Sequence, residues 1–193
     1  MKRRTFLQCA ALAAAVAPLG GLHAAALPGD SLYRLNTALV DTQNQRFTLA
    51  DLAGKPLLVT MFYGDCNTAC PIVIENLKQT VTALGASGKK LTVLMVSLDP
   101  FHDTPGSLSQ LMTTHKLDPR QFRIAVAKDE SQTRMLASAL NIKYRVLGSG
   151  EINHTTRITL LNGAGSVLAS SSTLDVTPDP AFVKQLLAAL KPA

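Results

Sequence analysis

Three observations predict an α/β sandwich: a central, mostly parallel sheet covered by helices on both faces, with an additional N-terminal β-hairpin. First, PLLVTMFY (56–63), LTVLMVSL (91–98) and FRIAVA (122–127) are short, continuous apolar runs rich in β-formers. Strands buried on both faces read this way. Second, helix-periodic segments lie between and after these runs, and alternation of strand and helix calls for parallel crossovers. Third, the chain ends in an apolar hairpin and an amphipathic helix, which close the sheet and cover it.

The chain has 193 residues, 47% of them hydrophobic, enough for one globular domain with a sizeable core. Its start, MKRRTFLQCAALAAAVAPLGGLHAAALPGD, has a basic opening, an apolar run from Cys9 to about Gly20, and the small residues Ala24-Ala25-Ala26. These are the three parts of a secretory signal cut after Ala26, leaving 27–193 as a single domain. The apolar run is shorter than the ~20 residues a spanning helix needs, and Pro18, Gly20 and Gly21 interrupt it. No stable membrane span is therefore expected after cleavage. The order Arg3-Arg4-Thr5-Phe6-Leu7 resembles a twin-arginine export signal. Cys9 is read as an apolar filler discarded with the leader.

The formal net charge of +6 falls to +3 without the leader's Lys2, Arg3 and Arg4, with 16 basic residues against 13 acidic. No basic cluster with interleaved aromatics remains and there is no tryptophan, so nucleic-acid binding has no support.

The mature elements follow in order. LVDTQNQRFTLADLAGK (39–55) predicts a hairpin leading into the first central strand, 56–63. A helix over about 68–84 places Val73, Leu77, Val81 and Leu84 on one face and ends at Gly85. A strand over 91–98 leads to a helix over 107–115, after Pro105; a strand over 122–127 leads to a helix over about 130–140. TRITLLNGAGSVLASSS holds two apolar runs around Asn162-Gly163-Ala164-Gly165, a hairpin pattern. Asp179-Pro180 opens a final helix over 180–190.

The chemistry gathers where the first long strand runs into the first long helix, in GDCNTACPIVI (64–74). Ligand chemistry in such sheets lies beyond the carboxyl ends of the strands. Residues four apart on a helix have Cβ atoms ~5–6 Å apart on one face, so Cys66 and Cys70 are expected to be co-facial. Pro71 is tolerated only near a first turn, which puts both sulfurs at the helix's positive end, where the thiolate is favoured. Three readings compete in an oxidising, exported setting. A structural disulfide would close a loop of a few residues and gain little. A redox pair fits the strand–helix junction, although thioredoxin-type enzymes use C-x-x-C opposite a cis-proline. A metal site needs further ligands, and the mature chain has no other cysteine.

Histidine is the remaining soft-compatible donor. His23 lies in the leader, and His115 ends a polar helix, where it suits the C-terminal pole. His154, in GEINHTTRITLL, is expected in a loop just before an apolar strand. In a thioredoxin-like sheet that loop faces the first helix's N-terminus, and here it carries His154-Thr155-Thr156 without a proline. Two thiolates and one imidazole favour copper or zinc. His102 reads as a solvated loop histidine or an auxiliary ligand. Met61 and Met95 read as core residues.

Three ordered motifs together resemble the SCO/SenC family of copper-binding assembly proteins. LVTMFYGDCNTACP resembles its strand and CxxxCP motif, VSLDPFHDTP (96–105) its DPxxDTP motif, and NHTTRITLLNGAGSVL its histidine loop and hairpin. FTLADLAGKPLLV resembles the thioredoxin-like lead-in, and the likeness runs from about Leu35 to Leu190. It implies a thioredoxin-like fold and one copper ion, Cu(I) or Cu(II), held by Cys66, Cys70 and His154. It further implies a chaperone that delivers copper to, or prepares, the binuclear copper site of cytochrome c oxidase subunit II; many members keep an uncleaved membrane anchor, and the expected loss of the leader here favours soluble work in the periplasm. Another cuproprotein or other copper chaperones are further partners in this reading. A thiol-disulfide oxidoreductase using Cys66 and Cys70 without metal is the alternative, and a peroxide-reducing enzyme a third. No catalytic residue is assigned beyond that redox-active pair. Asp99 and Asp103 are candidates for orienting His154 or meeting a partner, and turn or helix-cap chemistry competes for both. Where the family usually carries an aromatic after the histidine, this chain has Arg157 and Ile158.

Overall fold

A computed structural model describes residues 27–64 and 69–191. The expected leader and Cys66 lie outside those residues, and Cys70 is described only by its place in a helix.

The three apolar runs form the expected parallel centre. Strands β3 (Leu57–Phe62), β4 (Thr92–Ser97) and β5 (Phe122–Ala127) pair in register, with Leu57 opposite Thr92 and Val93 opposite Phe122. Every residue of β3 is buried, so its unalternating sequence reflects packing on both faces. Antiparallel strands flank this centre. The first hairpin, β1 (Ala38–Asp41) and β2 (Arg46–Thr48), precedes β3 in sequence but pairs through β1 with β5 at the far side of the sheet. The last hairpin, β8 (Ile158–Leu161) and β9 (Val167–Ser171), joins through β8 to β3. The seven strands run β2-β1-β5-β4-β3-β8-β9. As expected, Asn162 to Gly165 form the hairpin's turn: the Asn162 side chain accepts from the amides of Ala164 and Ser166, and Gly165 adopts φ +85°.

Four helices cover the sheet. On one face, α1 (Ala69–Ala83), α2 (Pro105–Thr114) and α4 (Pro180–Ala189) bury Val73, Leu77, Leu108 and Phe182 against Leu58, Val93 and Ile124. On the other, α3 (Glu130–Ala139) and the N-terminal segment bury Leu136, Leu32 and Tyr33 against Val59, Leu94 and Ala125. Leu58 and Val59 thus point to opposite cores, the two-residue alternation of a strand. Met61 and Met95 are fully buried in these cores.

The helix ends follow local chemistry. Gly85, at φ +56°, closes α1 where an L side chain would be strained. Helix α2 starts two residues before the expected Ser107, because the Thr104 hydroxyl accepts from the Ser107 amide and Pro105 fills the first turn. His115 caps the C-terminal end of α2. The Asp179 carboxylate accepts from Ala181 N at 2.8 Å to open α4. Asp129 does the same for α3 through Gln132 N, and the Gln132 side chain in turn accepts from Ala38 N at 2.6 Å, tying α3 to β1.

One pair of strands was not expected from sequence. β6 (Tyr144–Val146) and β7 (Ile152–His154) form a separate two-stranded ladder with Tyr144 opposite His154. His154 therefore ends a short strand instead of lying in a free loop.

Candidate metal centre

The carboxyl end of β3 is where the motifs converge, and the sheet registers explain why. Strand β8 runs antiparallel to β3, so its first residue, Ile158, lies opposite Thr60 near the end of β3. The Thr60 hydroxyl also donates to the carbonyl of Arg157 at 2.7 Å. The segment before β8, with His154, is thereby delivered to the end of β3. Strand β4 is parallel to β3 and level with it: Ser97 lies opposite Phe62, and Leu98 N donates to Phe62 O at 2.6 Å. The loop 98–104 thus leaves the sheet at the height of Tyr63 and Gly64.

His154 is partly buried and held from both sides. Its ring meets Tyr63 edge-on, with centroids 5.9 Å apart and planes at 84°. Its backbone is fixed by the ladder to Tyr144, which continues as Thr155 N donating to Lys143 O at 2.9 Å. Imidazole Nδ1 lies 3.3 Å from the carbonyl oxygen of Thr155. A carbonyl only accepts, so Nδ1 carries the hydrogen and Nε2 presents a lone pair. A backbone carbonyl behind one ring nitrogen is the usual setting of a metal-ligating histidine. Burial holds the His154 pKa below the ordinary histidine value, against a smaller opposing contribution from the Thr155 carbonyl. This shift favours the neutral ring, the form that binds a metal. It stands at the edge of a surface cavity of about 500 Å³ that also exposes Lys143, Arg157 and Leu174.

Asp103 reaches the same strand end from the other side. Its Oδ2 accepts from Gly64 N at 2.8 Å and from the hydroxyl of Ser97, which is fully buried. A Cβ added to Gly64 would run into this carboxylate, which gives the glycine a packing reason. Capping of α2 falls to Thr104, not Asp103. Asp99 works on its own turn: Oδ1 accepts from the amides of Phe101 and His102, each at 3.1 Å, and Oδ2 faces His102 Nδ1 at 2.8 Å. The Ser97 hydroxyl accepts from Asp99 N at 2.9 Å, so the two aspartates share one anchor.

The structure thus places His154 against Tyr63 and Asp103 on Gly64, the residues that lead into Cys66. Cys70 is the second described residue of α1, and Pro71 follows it in the same helix. His115 is at the end of α2. Among the described residues no three metal-ligating side chains gather; Cys66 lies outside them. Tyr63 was missed in the sequence, although its position as the last aromatic of an apolar strand entering the cysteine motif marked it. Its ring meets His154 edge-on from the residue just after β3.

The donor chemistry fits a soft metal ion: one neutral imidazole with a backed Nδ1, beside the strand end that feeds two cysteines. Among the described residues no helix is long and apolar enough to cross a membrane.

Comparison with known proteins gives the chain its relatives. The SCO1/SenC family model matches residues 30–189. A protein of Bacillus subtilis named SCO1 protein homolog is 24% identical over 141 residues, which cover 70% of this chain and 73% of that one. The copper-bound structure of Bradyrhizobium japonicum ScoI superposes with a TM-score of 0.64 at 21% identity, covering 80% of this chain and 94% of that one. BsSco, a member of the Sco family of cytochrome c oxidase assembly proteins in which a disulfide switch was identified, superposes at 0.67 with 17% identity, covering 81% and 92%. At these identities the structural matches establish the fold, thioredoxin-like with a parallel centre and helices on both faces. The match over residues 30–189 establishes more: the chain belongs to the SCO1/SenC family.

Proposed function

We propose that this protein is an exported copper chaperone that holds one copper ion through Cys66, Cys70 and His154 and hands it to a respiratory oxidase. Copper is its cargo. The observation that carries the reading is the convergence of the histidine strand and the DPxxDTP loop on Tyr63-Gly64, two residues ahead of Cys66. The neutral, backed imidazole of His154 is the borderline ligand that completes a pair of thiolates for copper. Copper-bound relatives of the same fold support the choice of metal.

The chain's own residues divide the work. Cys66 and Cys70 must be reduced and deprotonated to bind, and the first turn of α1, which holds Cys70, is where a helix's positive end favours a thiolate. Tyr63 and the Thr155 carbonyl orient the His154 ring. Three protein ligands leave room for a ligand from the recipient, which suits transfer better than permanent storage. The recipient in this reading is the binuclear copper site of cytochrome c oxidase subunit II, reached in the periplasm after loss of the leader over 1–26.

A second reading is favoured by the disulfide switch identified in BsSco. Here the Cys66–Cys70 dithiol reduces a client disulfide: two electrons pass to the client, whose sulfurs become thiols, and a disulfide forms between Cys66 and Cys70.

Titrating the reduced protein with copper(I) under anaerobic conditions, followed by desalting, separates the two. Retention of one copper per chain by the wild type, with loss in His154→Ala and Cys66→Ser, supports the chaperone. Equal retention by His154→Ala overturns the three-ligand site. Disulfide turnover that survives His154→Ala but not Cys66→Ser favours the reductase.

A further inference from the structure

We infer that His102 is a transfer ligand for copper, a rim imidazole that binds the ion transiently as it passes between a partner and the cysteine–histidine site. The inference rests on the copper-chaperone reading above.

A histidine on a surface loop is ordinarily free to turn. His102 is not, although 84% of its side chain is exposed. The Asp99 carboxylate, itself only 14% exposed, grips it at two points, the His102 amide and ring Nδ1 at 2.8 Å, and also holds the amide of Phe101 before it. The grip is anchored in turn, because Asp99 N donates to the buried Ser97 hydroxyl. A carboxylate only accepts, so Nδ1 carries a hydrogen and Nε2 of the neutral ring presents its lone pair. A carboxylate behind one nitrogen and an open second nitrogen is the arrangement that orients metal-binding imidazoles and raises their basicity.

Its place is equally specific. The next residue, Asp103, holds Gly64 N at 2.8 Å, and Gly64 is two residues from Cys66 along the chain. The loop bearing His102 is therefore clamped to the strand end that feeds the cysteines. Soft ions change hands by ligand exchange, in which an incoming ligand binds before the outgoing one leaves. On uptake, a bond forms between copper and His102 Nε2 as one bond to the donor's ligand breaks. A bond to a cysteine thiolate then forms, the bond to His102 breaks, and any thiol proton passes to water. Copper keeps its oxidation state throughout, and delivery runs the same exchanges in reverse.

The test uses the reduced mature chain and a copper(I)–bicinchoninate chelate as donor, with transfer followed by loss of the chelate's visible absorbance in stopped flow. His102→Ala is expected to slow uptake and release about tenfold each, the size of effect typical of supporting residues at metal sites, while one copper per chain is still retained at equilibrium. His102→Met, which restores a soft donor, should recover part of the rate. Asp99→Asn should also slow transfer: its Oδ1 keeps the two turn hydrogen bonds, but its amide donates to Nδ1 and moves the ring hydrogen to Nε2. Unchanged rates in His102→Ala, with copper retained, overturn the transfer role and leave the copper site standing. Loss of retained copper in His102→Ala also overturns it, by making His102 a permanent ligand. A wild type that retains no copper overturns the underlying reading instead.

Discussion

Replacing Asp103 with alanine is the most informative single perturbation, because it cuts the link between the DPxxDTP loop and the end of β3. Among the described residues, the hydrogen bonds from Gly64 N and from the Ser97 hydroxyl are lost. Hydrogen bonds to a charged group contribute about 1.5–3 kcal/mol each when the partners are removed from water. Asp103 is partly exposed and its partners recover some bonding: the Ser97 hydroxyl still accepts from Asp99 N, and water can reach the loop. The low end is therefore appropriate, and the apo protein should lose about 2 kcal/mol of stability in urea unfolding. If the clamp also fixes the approach to Cys66, copper affinity measured by chelator competition should fall about tenfold as well, or about 1.4 kcal/mol. Gly64→Ala supplies the second side of a double-mutant cycle, since its Cβ would collide with the same carboxylate. It should weaken the wild type clearly but cost much less in the Asp103→Ala background, where the obstruction is gone. An Asp103→Ala protein with unchanged stability and unchanged copper affinity would refute the clamp. Additive losses in the cycle would show that Gly64 and Asp103 act separately.

Two further predictions rest on other groups. Burial holds the His154 pKa below 6.5, so as pH falls through 6.5 the unfolded chain takes up a proton that the folded chain refuses. Stability contributed by this site is thus complete above that value and is lost below it; urea titrations at several pH values should show a flatter acid limb in His154→Gln, and an identical limb would contradict the assignment. Asp41 is 4% exposed and ion-paired with Arg123 at 2.7 Å, and it also accepts from the amides of Gln43 and Gln45 in the β1–β2 turn. Asp41→Ala leaves Arg123 without its partner and should cost about 3 kcal/mol in urea unfolding without altering copper retention.

Much of this architecture is written in local pattern. The continuous apolar run 56–63, rich in β-formers, reads as a strand covered on both faces, and Leu58 and Val59 do enter opposite cores. The Val73-Leu77-Val81-Leu84 spacing fixed the buried face of α1, and Asn162 to Gly165 fixed the last hairpin. What escaped depends on contacts between segments far apart in the chain. The three-residue strands β6 and β7 are too short for periodicity to register, so the ladder that seats His154 was invisible. The first hairpin leads into β3 in sequence, yet β1 pairs with β5, a choice made by the sheet and not by the turn. Asp103 reads as a candidate helix cap because Pro105 follows so closely; only the parallel register of β3 and β4 brings it to Gly64. Of the proposed site, the residue types were legible and the supporting contacts were not. Tyr63 and the Thr155 carbonyl behind His154 emerge only when β8 turns back along β3. The His102–Asp99 pair was within reach of sequence reasoning, since an aspartate often binds side chains and amides two and three residues ahead.

X-ray absorption at the copper edge of the reduced, copper(I)-loaded protein tests the central claim most directly. The ligand set Cys66, Cys70 and His154 predicts two sulfur neighbours and one nitrogen, with the nitrogen lost in His154→Ala and one sulfur lost in Cys66→Ser. A copper site with only nitrogen and oxygen neighbours, or one that His154→Ala leaves unchanged, would contradict it.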